Sequence, residues 1–330
     1  MKVKELGEFG LIDRLNKMIA DAKVNKASPN LIIGIGDDAA AWQGDNTIQL
    51  ATVDTMIQGV HFTPDTITWQ ELGWKSLAIN ISDIAAMGGL PHYALVALAL
   101  PEDIDVVNVT ELYHGLIEIA KEFKVAIVGG NISRATQVSI TITVLGSAPD
   151  NKILRRANAK AGDAIAVTGH TGSAAAGLMM LKNKPKLKEA DAKYLRNAFL
   201  HPIPRITEGR LLIKNGITTA IDTSDGLLAD LRHICEESKV SAVVDADRLP
   251  IHDAVRANFP DQSVAMALGG GEDYELLFTG QAEVVNKVKK QAACPVTIIG
   301  EITKGQAGKI ALQGSGIDQT AVKGYGWTHF

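Results

Sequence analysis

The chain has 330 residues, of which 46% are hydrophobic and 21% charged, and its formal net charge is −4. This length accommodates two domains with substantial cores, and the composition excludes an intrinsically disordered chain. The slight acidity provides no basic surface for nucleic acid, and no apolar run resembles a signal peptide or a membrane span. We therefore expect a cytoplasmic protein that binds neither nucleic acid nor membrane, with Cys235 and Cys294 as reduced thiols.

The first half alternates strand-like and helix-like hydrophobic patterns. The predicted elements are a strand over 48–53, a helix over 69–87, a strand over 93–100, a helix over 104–123, and strands over 125–128 and 138–145. The long helix is predicted to end at Gly88-Gly89, because glycine commonly terminates helices and Pro91 follows as a stop signal.

The second half continues the alternation of strands and helices. The predicted elements are a strand over 164–168, a turn over 169–177, helices near 174–182, 187–199 and 204–214, a strand over 219–221, a helix from Asp225, and strands near 242–244, 276–279 and 297–299. The loop over 147–151 predicts a division into domains 1–148 and 149–330. The fold class is therefore α/β (α+β) with two domains.

Acidic residues recur beside Gly or Ser at predicted strand and helix ends. They are Asp37, Asp38, Asp54, Asp83, Asp222, Asp225, Glu272 and Asp273, and Gly34-Ile35-Gly36-Asp37-Asp38 is the most informative run. Each carboxylate could simply cap a turn or a helix. Alternatively, such oxygen-rich sites suit Mg²⁺, which usually arrives with phosphate. The position of Asp83 in an apolar helix favours pairing or metal binding, because an isolated buried carboxylate is costly.

Several other segments could bind phosphate. Ser224 or Asp225 is predicted to cap a helix, and the N–H groups of a helix N-terminus can also hold a phosphate. Gly129-Gly130-Asn131 is predicted to end a strand, where its backbone could approach a nucleotide. Arg155-Arg156 could pair with phosphates. The three glycines over 269–271 permit close backbone approach to a ligand. The sequence contains no Walker A motif, kinase glycine-rich loop or nucleophile elbow.

These motifs together resemble the thiamine-monophosphate kinases, a family of the aminoimidazole ribonucleotide synthetase-like superfamily. The matching segments are 7–12, 34–40, 54–62, 80–88, 220–227, 270–276 and 326–330. Their order and spacing agree with the family pattern across nearly the whole chain.

The resemblance implies ATP-dependent phosphorylation of thiamine monophosphate to thiamine diphosphate, the final step of thiamine diphosphate biosynthesis. It implies direct in-line transfer assisted by several Mg²⁺ ions, without a catalytic general base. It also implies a two-domain fold whose N-terminal sheets pair across a homodimer.

The resemblance also assigns roles to individual residues. The implied metal ligands are Asp38, Thr52, Val53, Asp54, Asp83, Asn131, Asp222 and Asp225. The implied ATP-binding residues are Gly130, Asn131, Arg156, Ser224 and His114. The thiamine part is assigned to His61, Glu272 and Trp327, with Tyr325 as the alternative to Trp327. An aromatic face against the cationic thiazolium is physically reasonable.

Asn131 departs from the family pattern, which usually has Asp at this position. Asn keeps an oxygen ligand but lacks the charge, so we expect weaker binding of nucleotide-associated Mg²⁺. This departure is the one feature that supports an alternative, a nucleotide-binding regulator without catalysis.

Another superfamily member with a different acceptor is a further alternative. However, the chain lacks the N-terminal Cys of selenophosphate synthetase and the C-terminal Cys of the hydrogenase-maturation relative, and its His61 motif does not fit aminoimidazole ribonucleotide synthetase.

Overall fold

The computed structural model describes residues 1–6, 8–27, 30–33, 41–42, 44 and 46–314. The predicted 34–40 motif, including Asp38, and both Tyr325 and Trp327 lie outside the described residues. The chain divides into two compact units, the first formed by Met1–Ile84 with Leu90–Asn151 and the second by Ala85–Gly89 with the chain from Lys152 onward. The domain division at residue 148 stays a prediction.

The first unit is built around a four-stranded sheet in the order β3-β6-β4-β5. Its described helices are α1 (Val3–Leu6), α2 (Glu8–Ala22), α3 (Trp69–Ala86) and α4 (Val106–Phe123). Its described strands are β1 (Leu31–Ile33), β2 (Ala41–Trp42), β3 (Ile48–Ile57), β4 (Leu90–Leu100), β5 (Ala126–Arg134) and β6 (Ser139–Ala148). Strand β6 pairs antiparallel with β3 and β4, whereas β4 and β5 are parallel.

Helices α3 and α4 of this unit cross at two glycines. A Cβ atom at Gly73 would overlap the backbone carbonyl of Leu112, and one at Gly115 would overlap that of Gln70. Larger residues would therefore push the helices apart, and the close crossing keeps α3 buried along most of its length. This burial fixes the end of α3 that carries Asp83.

The second unit contains a six-stranded sheet in the order β12-β9-β11-β7-β10-β8. Its described helices are α5 (Ser173–Asn183), α6 (Glu189–Leu200), α7 (Ile206–Lys214), α8 (Leu227–Glu237), α9 (Asp253–Asn258), α10 (Ser263–Gly269) and α11 (Ala282–Gln291). Its described strands are β7 (Ala164–Thr168), β8 (Thr219–Asp222), β9 (Ser241–Asp245), β10 (Leu276–Gly280), β11 (Val296–Thr303) and β12 (Ile310–Gln313).

Strand β7 lies at the centre of this core and is buried at every position. Ile165 and Val167 join one hydrophobic cluster, while Ala164 and Ala166 join another. Because successive side chains point to opposite faces of a strand, both faces of the sheet are covered. Within the described chain, no helix combines the length and apolar character required to cross a bilayer.

The predicted α/β class with two domains is confirmed, and the predicted helices near 174–182, 187–199 and 204–214 correspond to α5, α6 and α7. The long helix ends at Ala86, and Gly88 follows with φ of 69°, as the glycine signal predicted.

The prediction of strand ends was wrong at two places. Strand β3 continues to Ile57, so Asp54 lies inside the strand, and β5 continues through Gly130 and Asn131 to Arg134.

Candidate active site

In the first unit, α3 and β3 bring two of the predicted metal ligands together. The Thr52 hydroxyl donates a hydrogen bond to Asp83 Oδ2 at 2.5 Å. The Asp54 backbone N–H donates to Asn80 Oδ1 at 3.0 Å, and the buried Asn80 side chain in turn donates to the Ser76 carbonyl. Since Thr52 and Asp54 are two residues apart, they share the strand face that α3 covers. Val53 points to the opposite face and is 58% exposed.

Gly130 and Asn131 lie on β5 rather than beyond its end. A Cβ atom at Gly130 would overlap the carbonyl of Val96, its partner on β4, so strand pairing already requires glycine at this position. Asn131 follows as an exposed residue paired with Ala97. The sheet therefore presents the Asn131 side chain to solvent, as a nucleotide contact would require.

The two predicted histidines lie in different surroundings within the first unit. His61 Nδ1 accepts the Ile57 backbone N–H at 3.0 Å, which places the proton of a neutral ring on Nε2. This contact fixes the ring at the turn that closes β3. His114 lies on α4 with its side chain about half exposed, and its Nδ1 is 3.4 Å from Glu111 Oε1.

In the second unit, Asp222 and Asp225 belong to one irregular segment between β8 and α8. Asp222 is buried as the last residue of β8, and α8 begins only at Leu227. The predicted helix start at Asp225 and the predicted capping role of Ser224 or Asp225 were therefore wrong. Gly226 is the residue before the helix, and its φ of 122° favours glycine.

A further carboxylate, Asp230, lies beneath this segment. It is buried on α8, and its Oδ2 accepts the Gly226 N–H at 3.1 Å. Burial raises the pKa of Asp230 well above its usual value, and the nearby charges of Asp222 and Asp225 raise it further. Three acids therefore share one region of the second unit, and a bound cation would relieve their mutual repulsion.

The glycine-rich loop that carries Glu272 is hydrogen-bonded to the same segment. The Glu272 N–H donates to the Ser224 carbonyl at 2.8 Å, and the Tyr274 N–H donates to the Thr223 carbonyl at 3.0 Å. The Thr223 N–H donates back to the Glu275 carbonyl at 2.8 Å. The predicted ATP ligand Ser224 and the predicted thiamine ligand Glu272 are therefore joined directly by a backbone hydrogen bond.

Arg205 and Glu275 form a buried ion pair behind this loop. Arg205 Nε and Nη2 donate to the two carboxylate oxygens of Glu275 at 2.6 and 2.5 Å, and the Thr168 hydroxyl donates to Oε2 at 2.6 Å. Burial alone would lower the pKa of Arg205, but the ion pair outweighs it and raises the pKa. The paired charges thus fix the start of β10, where the loop ends.

Arg156 is the remaining predicted site residue of the second unit. Its side chain is exposed in a short 3₁₀ turn, while its backbone carbonyl accepts the Ser238 hydroxyl at 2.8 Å. The turn is therefore anchored through its backbone, which leaves the guanidinium directed to solvent.

The donor sets in both units consist of oxygen atoms and fit Mg²⁺ chemically. They include the side chains of Thr52, Asp54 and Asp83 in the first unit and of Asp222 and Asp225 in the second. Among the described residues, no three His, Cys, Asp or Glu side chains are already arranged as a metal cage. Asp222 and Asp225 nevertheless lie close enough to Asp230 to raise its pKa, and a divalent cation would offset the repulsion among these carboxylates.

Comparison with known proteins agrees with this architecture. Residues 36–148 match the model of the AIR synthase related protein N-terminal domain, and residues 160–313 match that of the C-terminal domain. The fold and these two matches therefore define an AIR synthase-related protein.

Similarity to individual proteins narrows this class. The chain is 35% identical to thiamine-monophosphate kinase from Buchnera aphidicola, over 99% of both chains. It also resembles the crystal structure of thiamine-monophosphate kinase from Stenotrophomonas maltophilia, with 35% identity, a TM-score of 0.81, and coverage of 91% of this chain and 95% of that one. The structure of AaThiL complexed with AMPPCP and TMP is similar over 100% of this chain and 99% of that one, with 33% identity and a TM-score of 0.77. The chain belongs to the thiamine-monophosphate kinase family, as the motifs predicted.

Asp230, Arg205 and Glu275 were not singled out as site residues from the sequence. Glu275 was visible beside Glu272, but its partner Arg205 lies 70 residues away. The sequence does place Arg205 after Pro204 at the start of a predicted helix, which was the one local signal available.

Proposed function

We propose that this protein transfers the γ-phosphoryl group of ATP to thiamine monophosphate, which yields thiamine diphosphate and ADP. The observation that carries the proposal is similarity over nearly the full chain to thiamine-monophosphate kinases. The relative bound to AMPPCP and TMP supports the two substrates, because AMPPCP is an ATP analogue. The acceptor is already a phosphate monoester, so its oxygen can attack without a strong general base.

Each unit, taken by itself, carries oxygen ligands that would hold Mg²⁺ ions and position phosphates. The side chains of Thr52, Asp54, Asp83, Asn131, Asp222 and Asp225 are suited to the ions, together with Asp38 and the backbone oxygen of Val53. Bound Mg²⁺ would offset the repulsion between the two anionic substrates and the charge that develops during transfer.

The remaining predicted residues bind the organic and phosphate groups. Arg156 and Ser224 contact ATP phosphates, with Gly130 and His114 beside the nucleotide. His61 and Glu272 hold the thiamine part, and Trp327, or alternatively Tyr325, provides an aromatic face for the thiazolium.

We also propose that the enzyme is a cytoplasmic homodimer formed through the four-stranded sheet. Val53 on β3 is 58% exposed, and on the same face Leu95 of β4 and Leu145 of β6 stay partly exposed although they pack against a hydrophobic cluster around Tyr93. Apolar residues on one sheet face favour a partner surface there. Cys235 and Cys294 are both free, which agrees with a reducing compartment. Sedimentation equilibrium of the purified protein tests the dimer.

A direct assay tests the reaction. Purified protein is mixed with Mg-ATP and thiamine monophosphate, and thiamine diphosphate and ADP are quantified, with thiamine as the control acceptor. The proposal requires one diphosphate per ADP from the monophosphate and no product from thiamine. ATP binding without product at several Mg²⁺ concentrations would instead favour a non-catalytic nucleotide-binding regulator or a different acceptor.

The Asn131→Asp variant should reach half-maximal velocity at a lower Mg²⁺ concentration than the wild type. The added charge strengthens an oxygen ligand for a divalent cation, and we expect a decrease of about tenfold, which corresponds to about 1.4 kcal/mol. A Mg²⁺ titration at saturating ATP and thiamine monophosphate measures the change. An unchanged Mg²⁺ dependence would remove Asn131 from the proposed metal ligands.

A further inference from the structure

Asp273 connects the Glu272 loop to the first turn of α5. Its Oδ2 accepts the Gly172 N–H at 2.6 Å, and its Oδ1 accepts the Ala174 N–H at 2.9 Å. The partners are about 100 residues away in the sequence, so these bonds hold the loop against another part of the fold. Both carboxylate oxygens accept from backbone donors at the positive end of a helix, where a negative charge is favoured.

The residues on both sides of Asp273 have unusual backbone conformations. Glu272 has φ of 70° and Tyr274 has φ of 51°, both in the left-handed region that side chains other than glycine rarely adopt. Such conformations persist when surrounding contacts enforce them. Here the enforcing contacts are the two bonds to the Asp273 carboxylate and the backbone bonds from Glu272 and Tyr274 to Ser224 and Thr223.

We propose that Asp273 is a positioning residue that sets the orientation of Glu272 toward the thiamine part of the substrate. The proposal rests on the proposed function and adds to it a residue that does not itself touch the substrate. The carboxylate, by holding the centre of the loop against α5, keeps Glu272 in its left-handed conformation. Without this anchor, the Glu272 backbone can relax and turn its side chain away.

The protonation state of Asp273 provides a way to test this anchor. Burial raises the pKa of Asp273 to about 7, although the backbone bonds from Ala174 and Gly172 oppose this shift. Five other ionisable groups line the same cavity of about 230 Å³, namely His170, Tyr194, His201, Arg205 and Glu275. Of these, Glu275 adds to the increase in the pKa of Asp273. The carboxyl of the anchor is therefore mostly charged at pH 8 and mostly protonated at pH 6.

The test compares wild type with Asp273→Asn in steady-state kinetics for thiamine monophosphate. The amide keeps the shape but loses the charge and presents an NH₂ group to one of the two backbone donors. We expect KM for thiamine monophosphate to increase about tenfold at pH 8, with kcat within about threefold, because a contact to the non-reacting part of the substrate contributes mainly uniform binding. The ratio of the variant KM to the wild-type KM should fall toward 1 at pH 6, where the wild-type carboxyl is also neutral.

Asp163→Asn is the matched control, since Asp163 also accepts a backbone N–H, that of Lys160, in a turn far along the chain from the loop. Its KM should equal that of the wild type at both pH values. Hydrogen exchange provides a second measurement, in which Asp273→Asn should lose protection at Gly172, Ala174, Glu272 and Tyr274. If the amide variant does not fold, Asp273→Ser replaces it, because Ser is neutral and smaller and its hydroxyl oxygen can accept a backbone N–H.

The outcomes separate this proposal from the proposed function. Absence of any turnover by the wild type would refute the kinase function, and with it the substrate role of Glu272. An active wild type with unchanged KM in folded Asp273 variants would overturn the positioning role alone. A KM ratio that stays constant across the pH range in which the Asp273 carboxyl titrates would also overturn it, because the charge of Asp273 would then have no part in positioning.

Discussion

Asp83→Asn should lower kcat by about 1,000-fold, which corresponds to about 4 kcal/mol of transition-state stabilisation. The Asp83 carboxylate lies at the end of a buried helix and accepts the Thr52 hydroxyl at 2.5 Å. The amide can still accept this hydrogen bond, so the local structure is preserved. The negative charge that would bind Mg²⁺ is lost, however. Initial rates at saturating ATP and thiamine monophosphate, over a range of Mg²⁺ concentrations, measure the effect.

Asp103→Asn is the control for this prediction, because it removes a carboxylate of the same unit at an exposed position in the turn before α4. Its kcat should match that of the wild type. Near-normal turnover by Asp83→Asn, with an unchanged circular dichroism spectrum, would contradict the assignment of Asp83 to the metal site.

Arg205→Met should destabilise the second unit by about 3–5 kcal/mol, because it leaves the buried carboxylate of Glu275 without its partner. The Glu275 side chain is only 8% exposed, and Arg205 donates to both of its oxygens. Urea unfolding followed by circular dichroism measures the change at the transition of this unit. The double variant Arg205→Met with Glu275→Gln should recover part of the loss, since the uncompensated charge is then absent.

Arg134→Met tests whether burial causes this effect. Arg134 pairs with Glu102 at 3.1 Å, but the two side chains are 80% and 55% exposed. Solvent screens such a pair, so its loss should cost no more than about 1 kcal/mol. Equal destabilisation by the two Arg→Met substitutions would show that the Arg205 ion pair has no special role.

The sequence alone was sufficient to predict features that depend on local chemistry. The alternation of strand-like and helix-like segments predicted α5, α6 and α7, and Gly88 predicted the end of α3. The motif order also predicted the family, because the order and spacing of glycines and carboxylates can be read from the sequence without knowing how the strands pair. The roles assigned to Asp54, Asp83, Asp222 and Glu272 remain predictions, and the kinetic experiments address those of Asp83 and Glu272.

Only the tertiary structure showed the features that depend on contacts between residues far apart in the sequence, such as where strands end and where α8 begins. Strand β3 extends past Asp54 because β6 continues to pair with it, and a local pattern cannot show where a ladder stops.

Helix α8 starts at Leu227 because Thr223 and Ser224 are instead hydrogen-bonded to the loop before β10, about 50 residues further along the chain. The anchor at Asp273 and the ion pair of Arg205 with Glu275 join residues 70 to 101 positions apart. Sequence therefore determined which chemical groups the protein carries, whereas long-range hydrogen bonds and burial determined how the groups near Glu272 are held.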